Sequence, residues 1–367
     1  MCDEIKYLKD IMETILFESS KVFIVGHNDP DFDSIGSAIG LQSLCTHLGK
    51  EAYIIVDDCD INLEPGVKKI IDENRKIYKI ISLADAQKLK DDNVCLIMTD
   101  VNNYTKISIG EELDDFENLI IIDHHNEGLC TVYDATYSHM DTKASSASEI
   151  VGQLLNYYKI KCSKDVYTFL LAGIALDTDR YTKNNTTGKT HDVVKKLIAR
   201  GADNDYVNEL FLEEFDNDRR ISELIFNGSL FQSYEYSLVD VRNVSFTLNR
   251  EKPTTIYKKE DIAKAADRML KYKGNDASFV MGHTADDVIS VSARSRGNID
   301  VSEIMKVLGG GGSLQNAGAR ITDKSIVMVE EVIKECMRNY GLHTEDLPAE
   351  IPDEKVIIAP RQKTKVL

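Results

Sequence analysis

Apolar positions at Ile5, Leu8, Ile11, Ile15 and Leu16 recur at helical spacing over residues 3–19. Beyond them, short apolar runs alternate with longer segments of helical pattern. The runs Val22–Val25, Ala52–Val56, Ile77–Ile81, Val94–Met98 and Leu119–Ile122 predict strands, and the stretches between them are long enough for helical crossovers. Such crossovers imply a parallel sheet. Asp33 or Ser34 is the expected cap of the helix that follows the first strand, and Ser146 with Glu149 has capping-box spacing before another. Over Asp165–Ala175 apolar residues are too dense for an exposed face, which predicts a buried helix delivering whatever follows it.

The pattern changes after about 189. Residues 189–232 read as helical and highly charged, including E-E-F-D-N-D-R-R at 213–220, and predict a helical connector. A second α/β unit follows: alternation over Tyr236–Val241, a helix around 261–272, strands at Ala277–Gly282 and Val288–Ala293, then a glycine run opening another helix. Pro348, Pro352 and Pro360 mark an extended tail. The expected organisation is an N-terminal parallel-sheet α/β domain over 1–205, the connector over 206–232, a smaller α/β domain over 233–345 and the tail over 346–367.

Composition narrows the function classes. With 367 residues, 43% hydrophobic, the chain can bury two cores. Its net charge of -17 disfavours broad binding to long nucleic acid or an anionic membrane, and 7% aromatic content without Trp supplies few stacking platforms. Seven scattered cysteines form no C-x-x-C pair and read as reduced thiols. Neither a leader nor a membrane-length apolar run is evident, so a cytoplasmic protein is expected. Oligomeric state is left open, a homodimer included.

The candidate chemistry sits at element ends. Gly26 to Gly36, G-H-N-D-P-D-F-D-S-I-G, places His27, Asp31 and Asp33 around one turn after the first strand. Asp100 ends V-C-L-I-M-T-D, Asp123-His124-His125 ends L-I-I-I, and Asp177 ends L-L-A-G-I-A-L. Any one of these Asp residues is an ordinary turn or cap residue. Carboxyl ends of parallel strands share one edge, however, so the clusters can meet there around a divalent cation. On a regular strand His124 and His125 point to opposite faces, giving at most one ligand per metal.

At H-N-D-P-D-F-D, T-D-V, D-H-H and L-D-T, with G-G-G-G-S-L-Q-N-A-G-A at 309–319, the chain resembles the DHH phosphoesterase family with its DHH-associated domain. That family includes RecJ-like nucleases, nano-RNases and cyclic di-AMP phosphodiesterases. The resemblance implies a two-metal centre, usually Mn, held by His27, Asp31, Asp33, Asp100, His124 and Asp177. Two such ions about 3.5–4 Å apart acidify a shared water and neutralise charge on the transition state. It further implies that His125 contacts the scissile phosphate and that Asp123 orients the loop or a histidine.

The second domain is implied to hold the nucleotide. Arg294, in S-A-R-S-R at 292–296, and the backbone of Gly310, Gly311 and Gly312 are expected to meet a phosphate or base edge at a helix N-terminus, with Ser313 and Asn316 alongside. The phrases A-S-S-A-S-E, A-G-I-A-L-D-T and S-A-R-S-R-G-N-I-D-V resemble the catalytic module of the membrane-anchored cyclic di-AMP phosphodiesterases, here expected as a soluble enzyme. Ser313 stands where the glycine motif often carries histidine, which keeps a hydrogen-bonding group and loses ring stacking. The implied activity is Mn-dependent hydrolysis of cyclic di-AMP to pApA, continuing or not to AMP. Alternatives are a nano-RNase or 3′-phosphoadenosine phosphatase on short linear substrates, and a non-catalytic cyclic dinucleotide sensor.

Overall fold

The structure, a computed structural model, describes residues 2–56, 63–128, 130–212, 215–233, 242–247 and 256–338. Two compact units divide it, Met1–Leu212 and Glu213–Leu367. In the first, the elements run α1 (Cys2–Glu18), β1 (Lys21–Val25), α2 (Phe32–His47), β2 (Ala52–Ile55), α3 (Pro65–Asn74), β3 (Ile80–Ile81), α4 (Leu83–Leu89) and β4 (Val94–Thr99). Then come β5 (Asn118–Asp123), β6 (Tyr137–Met140), α5 (Ala147–Tyr158), α6 (Lys164–Asp177), α7 (Gly188–Ala199) and α8 (Asn204–Leu210).

The six strands form one parallel sheet in the order β3-β2-β1-β4-β5-β6. Alternate residues of β1 enter different cores: Val22 and Ile24 pack with the helix-rich cluster of Leu8, Ile39 and Leu170, whereas Phe23 and Val25 join Leu96, Met98 and Phe116. Burial on both faces is why these strands read as unbroken apolar runs rather than alternating ones. The expected strand at Ile77–Ile81 contracts to two residues, with Ile77 exposed. Strand β6 escaped the sequence reading because Y-S-H-M is a half-exposed edge without an apolar run.

Helix α2 is buried along most of its length and lies close against α6. A Cβ on Gly36 would sit 2.5 Å from the Phe169 carbonyl oxygen of α6, so only glycine permits this approach. Replacing Gly36 by Ala gains about 1 kcal/mol of helix propensity but overpacks against backbone that cannot swing aside, at about 1–3 kcal/mol. We expect Gly36→Ala to lower the thermal midpoint by several degrees; an unchanged midpoint would show that α6 can retreat freely.

The second unit contains α9 (Phe215–Phe226), β7 (Gly228–Ser233), β8 (Arg242–Thr247), α10 (Lys259–Leu270), β9 (Ala277–Ala285) and β10 (Val288–Ser295). It continues with α11 (Val301–Val307), β11 (Gly311–Gly312), β12 (Asn316–Ile321) and α12 (Ile326–Arg338). Its sheet has the order β11-β12-β10-β9-β8-β7, antiparallel except for the β8–β9 pair.

Two expectations change here. Residues 206–232 are not helical throughout: α9 packs on α10, with Arg220 bonded to Asp261 at 2.7 Å, and Gly228–Ser233 is a strand of the second sheet. The glycine run does not open a helix. It ends α11, with Gly309 in the left-handed region (φ 74) and the Gly310 amide donating to Met305 O at 2.8 Å, and then pairs as β11 with β12. The expected alternation at Tyr236–Val241 and the tail over 346–367 lie outside the described residues. Among the described residues no helix is long and apolar enough to cross a membrane.

Candidate metal centre

The chain winds from β1 outward to β3, returns to β4 beside β1, and continues to β6, so the strand order reverses between β1 and β4. A crevice at the carboxyl ends opens at such a switch point. His27 follows β1, Asp100 follows β4, and Asp123 ends β5 immediately before His124 and His125. Asp100 has φ 58, and its amide donates to Ile122 O of β5 at 3.1 Å, which pins the left-handed residue at the strand end.

Helices bring the remaining carboxylates. The cap of α2 is Asp31, not Asp33 or Ser34: its Oδ1 accepts the amides of Asp33 at 2.8 Å and Ser34 at 3.0 Å. That frees Asp33 to turn inward, where it is fully buried and accepts the Ala147 and Ser148 amides of α5, each at 2.7 Å. A helix N-terminus is a favourable seat for a carboxylate. Gly173 of α6 makes room, since a Cβ there would lie 2.8 Å from Asp33 Oδ1 and 2.3 Å from Ser148 Oγ. Asp177 closes α6, as the buried-helix pattern predicts.

Two groups of potential ligands result. His27, Asp31 and Asp100 form one; Asp33, His124 and Asp177 form the other, the ligand atoms of each group lying within 4.8 Å of one another. Asp100 reaches both, with Oδ2 3.5 Å from His27 Nε2 and Oδ1 3.3 Å from His124 Nε2. His124 Nε2 is also 3.1 Å from Asp177 Oδ2 and 3.8 Å from Asp33 Oδ2. All six residues marked from the sequence therefore meet.

The donor set fits divalent cations. Asp100 Oδ1 and His124 Nε2 are buried, close together, and make no hydrogen bond. Buried polar atoms without partners carry a cost of about 1–3 kcal/mol each, which a shared cation removes. Charge points the same way. Burial, then Asp100 and Asp177, push the Asp33 carboxyl well above its ordinary range, and burial likewise raises Asp177. Burial pulls both imidazoles down, yet Asp100 and Asp31 carry His27 up to about 10, and Asp100 and Asp177 carry His124 up to about 11. Burial opposes ionisation of Asp100 too, but His124 and His27 hold it below the usual carboxylate range. Such a cluster has more negative charge than two imidazoles can offset, and mixed Asp/His ligation suits Mn better than Mg.

His124 and His125 do not diverge as strand residues would. The strand ends at Asp123, and the two rings lie 4.4 Å apart, tilted by 48°. Asp123 Oδ1 accepts the amides of His124 at 2.7 Å and His125 at 3.2 Å and holds His125 Nδ1 at 2.8 Å. It thus orients both the loop and a histidine. Oδ2 of Asp123 is buried and has no hydrogen-bond partner, and Asp100, Asp123, His124 and His125 together form a third cluster of potential ligands.

In the second unit, Arg294 pairs across β10 and β12 with Asn316, and Gly311 and Gly312 lie on the next strand, so these expected substrate residues are neighbours. They border a strand edge rather than a helix N-terminus. Arg294 Nε is held by Asp267 Oδ1 at 2.7 Å, and Ser313 closes the hairpin, its amide donating to Asn316 O at 2.7 Å. Gly311 and Gly312 are exposed on the edge strand.

Sequence reasoning missed the amides of Ala147 and Ser148 and the close approach at Gly173. The A-S-S-A-S-E phrase marked a helix start, and a helix start is what supplies those amides.

Comparison with known proteins agrees with this arrangement. The DHH family, N-terminal domain, matches residues 21–174, and the DHHA1 domain matches residues 246–339. The cyclic-di-AMP phosphodiesterase GdpP of Geobacillus thermodenitrificans (strain NG80-2) is 30% identical over 341 residues, covering 91% of this chain and 50% of that protein. PdeA, a cyclic-di-AMP phosphodiesterase of Listeria monocytogenes, is 28% identical over 341 residues with the same coverage. The chain thus spans about half the length of these curated relatives. An exopolyphosphatase-related protein from Bacteroides fragilis shares the fold, with a TM-score of 0.72 at 21% identity, covering 93% of this chain and 97% of that one. With both domains matched in order and the D-H-H run seated beside the carboxylate that reaches both ligand groups, this chain carries the DHH family N-terminal domain and the DHHA1 domain.

Proposed function

We propose that this chain is a phosphodiesterase that opens cyclic di-AMP to pApA with two divalent ions, Mn in preference to Mg. The observation that carries the metal part is the division of Asp100 between two ligand groups, with its Oδ1 and His124 Nε2 buried and without a hydrogen-bond partner. Likeness to GdpP and PdeA over both domains supports the substrate. His27, Asp31 and Asp100 would hold one ion and Asp33, His124 and Asp177 the other. When bound, the pair supplies a water of lowered pKa and neutralises charge on the phosphoryl oxygens.

The protein's own groups do the rest. Asp31 and Asp33 are fixed by backbone amides, so the centre is built before substrate arrives. His125 is more than half exposed, with its Nδ1 against Asp123. A carboxylate only accepts, so Nδ1 carries a hydrogen, and this hydrogen bond to Asp123 raises the imidazole pKa. Nε2 is then the nitrogen that can lend a proton to the departing ribose oxygen. In the second unit, the exposed backbone of Gly311 and Gly312 with Ser313 and Asn316 is the proposed nucleotide contact, Arg294 contributing on release from Asp267.

Purified protein incubated with Mn and cyclic di-AMP should yield pApA on separation of the products. Cleavage of pApA with the cyclic dinucleotide left intact would assign the site to short linear substrates instead.

A further inference from the structure

Glu149 is fully buried and a member of neither ligand group. Its Oε2 accepts the Ser145 amide at 3.0 Å, Ser145 Oγ at 2.7 Å and Thr190 Oγ1 at 2.7 Å, and its Oε1 accepts Gln153 Nε2 at 3.1 Å. Four donors compensate the burial of one carboxylate. The capping-box spacing predicts a return bond from Glu149 to Ser146; instead Ser146 Oγ accepts the Glu149 amide at 3.0 Å while the carboxylate reaches Ser145 and, across to α7, Thr190. The turn entering α5 is therefore tied to the first turn of α7. Further along that turn, the amides of Ala147 and Ser148 are the pair that clamps Asp33.

The same stretch of chain also reaches Asp177. Asn185, just ahead of α7, donates from Nδ2 to Ser145 O at 3.1 Å and to Asp177 O at 3.4 Å. Residues 185–190 thus hold the supports of Asp33 and Asp177, the two carboxylates of a single ligand group. His27 and Asp31, the other group's own ligands, are placed by β1 and the α2 cap.

We propose that Glu149, Thr190 and Asn185 are positioning residues for the ion held by Asp33, His124 and Asp177, and that they set its affinity separately from that of the other ion. The proposal rests on the two-ion reading of the centre. A carboxylate ligand held by two amides keeps one orientation, and loosening the turn that carries those amides lets it rotate away. Outer partners of this kind typically change metal affinity by roughly 10–100-fold.

The test is Mn binding by calorimetry to metal-free wild type, Glu149→Gln and Asn185→Ala, with thermal unfolding of each metal-free protein. One of two binding events should weaken by at least about 10-fold in both variants while the other stays within about 2-fold. The metal-free midpoint of Asn185→Ala, a substitution of an exposed side chain, should hold. If wild type takes up two ions and Asn185→Ala keeps both affinities, or loses both in step with its midpoint, the proposal is overturned. A wild type that takes up one ion overturns the two-ion reading and the proposal with it. Should Glu149→Gln fail to fold, Asn185→Ala decides alone.

Discussion

Asp100→Asn should abolish turnover of cyclic di-AMP, by about a thousandfold or more, equivalent to about 4 kcal/mol or more of transition-state stabilisation. The reason lies in how the side chain is divided. Its two oxygens face different imidazoles, Oδ2 toward His27 and Oδ1 toward His124. Asparagine keeps one oxygen and turns an NH2 donor toward the other group, so one ion would lose a ligand and the two together would lose one negative charge. Product separation measures the rate, and calorimetry with Mn should show weakened uptake at both groups. Hydrolysis that survives the substitution would remove the two-ion mechanism.

Loading of the centre should release protons, and affinity for Mn should rise with pH. Without a cation, His27 is carried to about 10 and His124 to about 11, so both imidazoles are protonated at neutral pH. A ligating nitrogen must be unprotonated. Each ion therefore displaces at least one proton, and its apparent affinity should gain about tenfold per pH unit per proton displaced. The dependence extends upward until pH approaches the raised imidazole values and flattens there. Titrations in two buffers of different ionisation enthalpy count the protons. Affinity that is flat across neutral pH would mean the imidazoles are not ligands.

The meeting of His27, Asp31, Asp33, Asp100, His124 and Asp177 was legible because chemistry and topology coincide: hard side chains at the ends of apolar runs must share an edge once the runs are parallel strands. What escaped was decided by packing and partner choice. Asp31 and Asp33 are equally plausible caps by type, and only the inward turn of Asp33 toward Ala147 and Ser148 separates them. Glu149 looked like a cap residue, because nothing in local spacing announces a bond to Thr190, 41 positions away. In the second unit, a glycine run is compatible with a helix start, a helix end or a strand edge. Gly309 beyond α11 and the pairing of Gly311 with Gly318 decide for the last two.

The reversal of strand order between β1 and β4 also makes the centre a seam. One group draws His27 and Asp31 from the β1–β3 side and Asp100 from the β4–β6 side; the other draws Asp33 from the first and His124 from the second. Neither half of the sheet carries a complete group. Such contacts, far apart in sequence, form late relative to local ones. An ion held by either group would therefore bridge the two halves of the sheet.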